Sequence, residues 1–177
     1  MFIYKKKNFI KRLMKNGAGF TLIETLLYMG IFSILIIVLF TLLTSIFDVQ
    51  LESQSTAAVA SDGRFILNRF AYDIRKAESF TSPASIGGQG PILEFQTGGM
   101  TYSYTISNGN LILTNSTLGT ADQLNSYNTT LSDVNFLRLS DTNSEHDTIS
   151  FSFTLESKTQ KRGGAAEQNF KTTVGKR

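Results

Sequence analysis

The chain contains no cysteine and no tryptophan, one histidine (His146) and two prolines in 177 residues. Without cysteine there is no disulfide scaffold, no thiolate zinc site and no cysteine nucleophile. One histidine cannot build a multi-histidine metal site or a histidine pair. Charge is also sparse, at 18% of residues against 41% hydrophobic, a balance that folds rather than staying disordered. Serines are plentiful, but no G-x-S-x-G is present and His146 sits in an acidic polar stretch. Gly87-Gly88-Gln89-Gly90 leads into a strand pattern, not a helix, so it is no phosphate loop. The sequence therefore reads as a non-enzymatic chain with no cofactor and no metal. Its length suits one domain better than two.

The formal charge of +3 hides a strong asymmetry. Residues 1–19 hold Lys5, Lys6, Lys7, Lys11, Arg12 and Lys15 and no acid. Without those six, 11 basic residues face 14 acidic ones, so the body is acidic overall. A basic terminus on an acidic body points to targeting or membrane contact rather than to nucleic-acid binding.

Between Lys15 and Asp48 the one charged residue is Glu24, and Thr25–Phe47 is a run of 23 uncharged residues. As a helix that run spans about 35 Å, enough to cross a hydrocarbon core of about 30 Å. A buried core helix is the alternative, but the run is apolar all round and no later segment could cover it on every side. The basic flank places the N-terminus in the cytoplasm and the body outside it. An ordinary secretory signal does not fit. Its apolar core would be shorter, and the Ala-x-Ala at Ala58-Val59-Ala60 lies 11 residues past Phe47.

The small residues stand on the other side of the run, at Asn16-Gly17-Ala18-Gly19. Glycines resist helix formation and lack a Cβ, as a protease-accessible backbone requires. A cut after Gly19 would discard the basic leader and leave the apolar helix as the new N-terminus. Gly19-Phe20-Thr21-Leu22-Ile23-Glu24, behind a Lys-rich leader and ahead of an unbroken apolar helix, resembles the type IV prepilin and pseudopilin family with its class III signal peptide. The resemblance implies cleavage between Gly19 and Phe20 by a prepilin peptidase, N-methylation of Phe20 by the same enzyme, and a mature chain of 158 residues. It also implies that Glu24 pairs with the Phe20 amine of a neighbouring subunit during assembly. A carboxylate in a first helical turn is favoured by the macrodipole by about 0.3–1 kcal/mol, which alone could explain Glu24. An acidic group near the bilayer core costs about 2–3 kcal/mol, which favours a partner instead.

From Asp48 to Ala77 there is no proline, and Val59, Ile66, Phe70, Ile74 and Ala77 recur on one helical face with Asp62, Arg69, Asp73 and Lys76 between them. Gly63 is a weak point of about 1 kcal/mol relative to Ala. The predicted organisation is a basic leader over 1–19, a transmembrane helix over 20–47, an amphipathic continuation over 48–80 ended by Thr81-Ser82-Pro83, and a β-sheet head over 81–177. Within the head, Ile92–Thr97, Thr101–Ile106 and Leu111–Thr114 read as strands joined at Gly98-Gly99 and Asn108-Gly109. Ser82–Gly90 and Thr117–Thr130 read as loops. Val134–Leu139, the alternating run Ile149–Glu156 and Asn169–Val174 complete one antiparallel sheet. A helix on such a sheet is an α+β arrangement, and it is the pilin-like architecture.

Within the family the chain is most similar to J-type minor pseudopilins of type II secretion or related minor pilins. Arg64-Phe65-Ile66-Leu67-Asn68-Arg69, Asp73-Ile74-Arg75 and Phe170-Lys171-Thr172-Thr173-Val174 carry that likeness. K-type tip subunits typically lack the glutamate present here as Glu24, and the C-terminal disulfide loop of many major pilins is impossible without cysteine. The implied partners are other pilin or pseudopilin subunits, prepilin peptidase, an inner-membrane assembly platform and membrane lipid. The implied location is the cytoplasmic (inner) membrane, single-pass, then a periplasmic or cell-surface filament. A DNA-uptake minor pilin and a single-span surface receptor or adhesin stay open as alternatives.

Two weaker patterns are read as structural. Asp141-Thr142-Asn143-Ser144-Glu145-His146-Asp147 alternates oxygen ligands as a calcium loop does, but His146 replaces the required glycine and Ser152 the acidic twelfth position. The tail bases Lys158, Lys161, Arg162, Lys171, Lys176 and Arg177 have no aromatic stacking partners nearby, so nucleic acid is not an expected partner.

Overall fold

In the computed structural model, which describes residues 19–140, 147–161 and 163–176, the long helix runs over Leu22–Lys76 (α1). Two units divide the chain, one up to Ile46 and one from Phe47 onward.

In the first unit the helix has no cover. Every residue from 19 to 46 is exposed except Glu24, which is half-buried, and the most apolar window of α1 is wholly exposed. Hydroxyls inside this stretch bond back to their own helix. Ser33 donates to the Met29 carbonyl at 2.7 Å, Thr41 to Val38 at 2.8 Å and Thr44 to Thr41 at 2.9 Å. Polar side chains satisfied in this way cost little in hydrocarbon. The exposed apolar surface is unstable in water and needs lipid or like helices around it.

In the second unit the rest of α1 is followed by β1 (Ser79–Ser82), β2 (Gln89–Gly90), β3 (Leu93–Thr97), β4 (Met100–Ser107), β5 (Asn110–Asn115), β6 (Thr120–Gln123), β7 (Thr129–Ser140), β8 (Asp147–Lys161) and β9 (Gly164–Gly175). They form two antiparallel sheets, ordered β1-β3-β4-β5-β6 and β2-β7-β8-β9. The two glycine-bearing turns behave as their sequences predict. Gly98 and Gly99, and likewise Asn108 and Gly109, all have positive φ, the backbone of a tight hairpin turn.

All five apolar positions of the predicted helix face are buried: Val59, Ile66, Phe70, Ile74 and Ala77. Phe70 is the junction of the core. Its ring lies 6.1 Å from Tyr104 of the first sheet, and 6.2 and 4.8 Å from Phe136 and Phe151 of the second. One helix face thus serves two sheets where the sequence predicts one. Gly63, a weak point by propensity, has a packing reason: a Cβ there would come within 2.2 Å of the Phe170 ring. That ring stacks on Phe153 at 5.3 Å, so the missing side chain lets β9 approach the helix.

Three predicted boundaries move. The helix ends at Lys76 rather than near Phe80, because Glu78 N–H bonds to the Gln96 carbonyl and Ser79–Ser82 pairs with β3. Phe80 then enters the core from a strand. The predicted loop over 117–130 contains β6, and β7 begins at Thr129. β6 is exposed at every position, so no alternation marks it. β7 passes through an irregularity between Ser132 and Asn135, where Asp133 has a φ of 52°. That break splits the apolar pattern of one strand into two short pieces. The two-residue β2 likewise falls inside the loop predicted over Ser82–Gly90.

Candidate functional site

The candidate site begins just before the helix. Gly19 and Phe20 are non-helical and exposed, with Phe20 at 72%, and a Cβ built on Gly19 meets nothing within 4 Å. The bond between them is sterically open to an enzyme. Thr21 caps the helix: its carbonyl accepts from Glu24 N–H at 3.0 Å and Thr25 N–H at 3.1 Å, and its Oγ1 accepts from Glu24 N–H at 3.3 Å. This is the first half of a T-x-x-E capping box, in which the glutamate would reach back to the threonine N–H. Glu24 reaches forward instead. Its Oε1 accepts from the Tyr28 hydroxyl at 3.2 Å. The Tyr28 ring meets the Phe20 ring edge-on at 6.1 Å.

Tyr28 therefore links two of the three sequence-predicted site residues, Glu24 on the first turns of the helix and Phe20 just before it, with Gly19 adjoining. The structure adds Thr21 and Tyr28, which sequence reading passed over. The T-x-x-E spacing before an apolar run was the available signal for Thr21, and the i, i+4 spacing the signal for Tyr28. The leader residues 1–18 lie outside the described residues.

A second polar cluster lies in the second unit. Asp73, one of the charges that lie between the apolar positions of α1, is 7% exposed. Its Oδ2 accepts from Tyr104 Oη at 2.6 Å and from Arg69 Nε at 2.9 Å. Burial, then the charge of Asp73 and the bond to it, push the Tyr104 phenol far above its usual range. Burial works against the Arg69 charge, but the bond to Asp73 and its charge outweigh that and raise the Arg69 pKa. The three tie α1 to β4, and Arg69 and Asp73 line a cleft of about 410 Å³ together with Tyr72, Lys76 and Tyr102. Lys76 Nζ lies 4.2 Å from the Tyr72 ring centroid, a cation–π contact at the last turn of the helix.

A pH dependence follows. Unfolded, Tyr104 ionises near pH 10; folded, it keeps its proton there. Above about pH 10 the unfolded state binds fewer protons, so stability falls with rising pH, by up to about 1.4 kcal/mol per unit from this group. Denaturant unfolding of the full chain between pH 8 and 11 is expected to show the fall, and Tyr104→Phe to flatten it relative to the parent. Equal slopes in both would refute the assignment.

Asp62, another of those charges, accepts from Ser126 N–H at 2.8 Å and Thr129 Oγ1 at 2.5 Å, pinning the polar stretch before β7 to α1. Arg138 gathers the Phe80, Pro83 and Ala84 carbonyls at 3.1–3.3 Å and bonds Asp147 Oδ2 at 2.8 Å. Of the calcium-like stretch, residues 141–146 lie outside the described residues, and Asp147 is committed to Arg138. Among the described residues no group of three or more potential metal ligands occurs.

One tail base does have an aromatic neighbour. Lys158 Nζ sits 4.9 Å from the ring of Tyr127, which is 85% exposed. Their separation of 31 positions along the chain hid the pair. Lys176 instead donates to the Glu78 carbonyl at 2.7 Å. Arg162, Arg177 and the Lys161 side chain lie outside the described residues. A single lysine–tyrosine pair is not a stacking groove for bases.

A family model described as the prokaryotic N-terminal methylation motif matches residues 14–43. The match covers the Gly19–Glu24 motif and most of the exposed apolar run, and none of the sheets. No curated protein and no solved structure matches the chain. The motif supports a type IV pilin- or pseudopilin-like protein, and with the α+β fold it suggests a structural subunit. The apolar helix and the motif together point to membrane anchoring.

Proposed function

We propose that the chain is a minor pilin or pseudopilin, a structural subunit of a type IV pilus or a type II secretion pseudopilus. Prepilin peptidase cuts it between Gly19 and Phe20 and N-methylates Phe20. The leader 1–19 is lost, residues 20–47 cross the cytoplasmic membrane with the N-terminus inside, and the head lies outside until an assembly platform draws the subunit into a filament. One observation carries this reading. From Leu22 on, the stretch matching the methylation motif is a capped helix with its apolar side chains exposed, Gly19 and Phe20 stand exposed just before it, and among its described residues the only half-buried one is the single acid Glu24.

The minor, J-type assignment rests on segments of the late helix and the last strand. Phe170, which opens the last of the segments that carry the likeness, fills the space left at Gly63, the residue before the first of them. The absence of cysteine excludes a disulfide-closed head.

Glu24 is the assembly residue in this account. Its carboxylate takes the Phe20 amine of a neighbouring subunit, an ion pair whose worth rises in low dielectric. Glu24→Ala is expected to leave cutting and membrane insertion intact while depleting the subunit from filaments. Quantifying the subunit in sheared filaments and in membranes checks this, and parental incorporation of the variant contradicts the pairing.

A further inference from the structure

Glu24 is the one half-buried residue from 19 to 46, and Tyr28 stands one helical turn on from it. Tyr28 donates its hydroxyl to Glu24 Oε1 at 3.2 Å, and Phe20 meets the Tyr28 ring at 6.1 Å and 76°. A spacing of four residues places Glu24 and Tyr28 on one helix face, and the ring contact brings Phe20, just before the helix, beside Tyr28. The capping-box alternative, with the carboxylate turned back onto Thr21 N–H, is not the one adopted. Tyr28 engages one carboxylate oxygen, Oε1, and does not occupy Oε2.

From this geometry we infer that Tyr28 is a positioning residue for subunit pairing. It holds the Glu24 carboxylate in a chain still alone in lipid, and it presents Oε2 to the Phe20 amine of an incoming subunit. The inference rests on the pilin reading above and deepens it. A bare carboxylate in an apolar medium is costly and has no fixed rotamer. One phenol bond reduces the first cost and removes the second, so less freedom is lost when the amine arrives. The bond is retained in the pair, because amine and phenol use different oxygens.

A tyrosine near a membrane surface also serves as an interfacial anchor, with no need of Glu24. The test separates the two. The full chain is expressed with prepilin peptidase and its filament partners as parent, Tyr28→Phe, Glu24→Gln and the double variant. The N-terminal mass and the fraction in sheared filaments are measured for each. All four are expected to begin at methylated Phe20. Tyr28→Phe should lower the filament fraction about tenfold, the scale of one hydrogen bond to a charged group. In the Glu24→Gln background the same change should cost nothing further. Parental incorporation of Tyr28→Phe, or an equal loss in both backgrounds, overturns the positioning role. Parental incorporation of Glu24→Gln overturns the pairing itself, and a parent chain that does not begin at Phe20 overturns the pilin reading.

Discussion

Replacing Gly19 with valine is expected to leave the full 177-residue chain in the membrane, and the parent is expected to be cut to 158 residues. A Cβ built at Gly19 meets nothing within 4 Å, so the protein itself has room for the added Cβ. The obstruction arises only when a peptidase must draw the backbone into its site, where a β-branched residue stiffens and crowds the chain. Mass measurement of membrane-extracted chain from cells holding the peptidase reads the outcome directly. Efficient cutting of Gly19→Val, at the parental position, would show that the glycine is not what opens this bond.

The second large effect belongs to the head. Phe70→Ala is expected to destabilise it by about 3–5 kcal/mol, the range for deleting a buried phenylalanine ring. Phe70 is fully buried and contacts aromatic rings of both sheets, so the cavity opens where helix and sheets join. Phe65→Ala, at a position 53% exposed on the same helix, is the control and should cost little. Denaturant unfolding of the full chain in detergent compares the three. Equal stability of the two variants would remove Phe70 from the centre of the core. Cutting at Gly19 should continue in Phe70→Ala, because the cleavage motif and the aromatic core belong to separate units.

The site and the fold were legible to different degrees, and the difference is one of distance along the chain. Gly19, Phe20 and Glu24 are contiguous with the basic leader and the apolar run, so charge, small residues and hydrophobicity mark them without any tertiary knowledge. The buried face from Val59 to Ala77 was legible because helical period and burial coincide. Both tight hairpins were legible because Gly98-Gly99 and Asn108-Gly109 admit the backbone that those turns demand.

What escaped depends on partners far away in sequence. Asp73 looks like one more charge between apolar positions until Tyr104, 31 residues on, supplies a hydroxyl. Ser79–Ser82 looks like a fraying helix end until β3 offers its backbone. The division into two sheets depends on which strand edges meet, and alternation within each strand does not encode that. Tyr28 is a different case. It stands four residues from Glu24, within reach of a local rule, but in an apolar run it reads as one more lipid-facing aromatic.

The measurement closest to the centre of the account is the intact mass and N-terminal sequence of the chain, recovered from a host that carries its maturation protease. The expected product starts at Phe20 with one added methyl group, and its mass lacks the lysine-rich leader. A product that retains Met1, or one that starts beyond Ala60, would contradict the account.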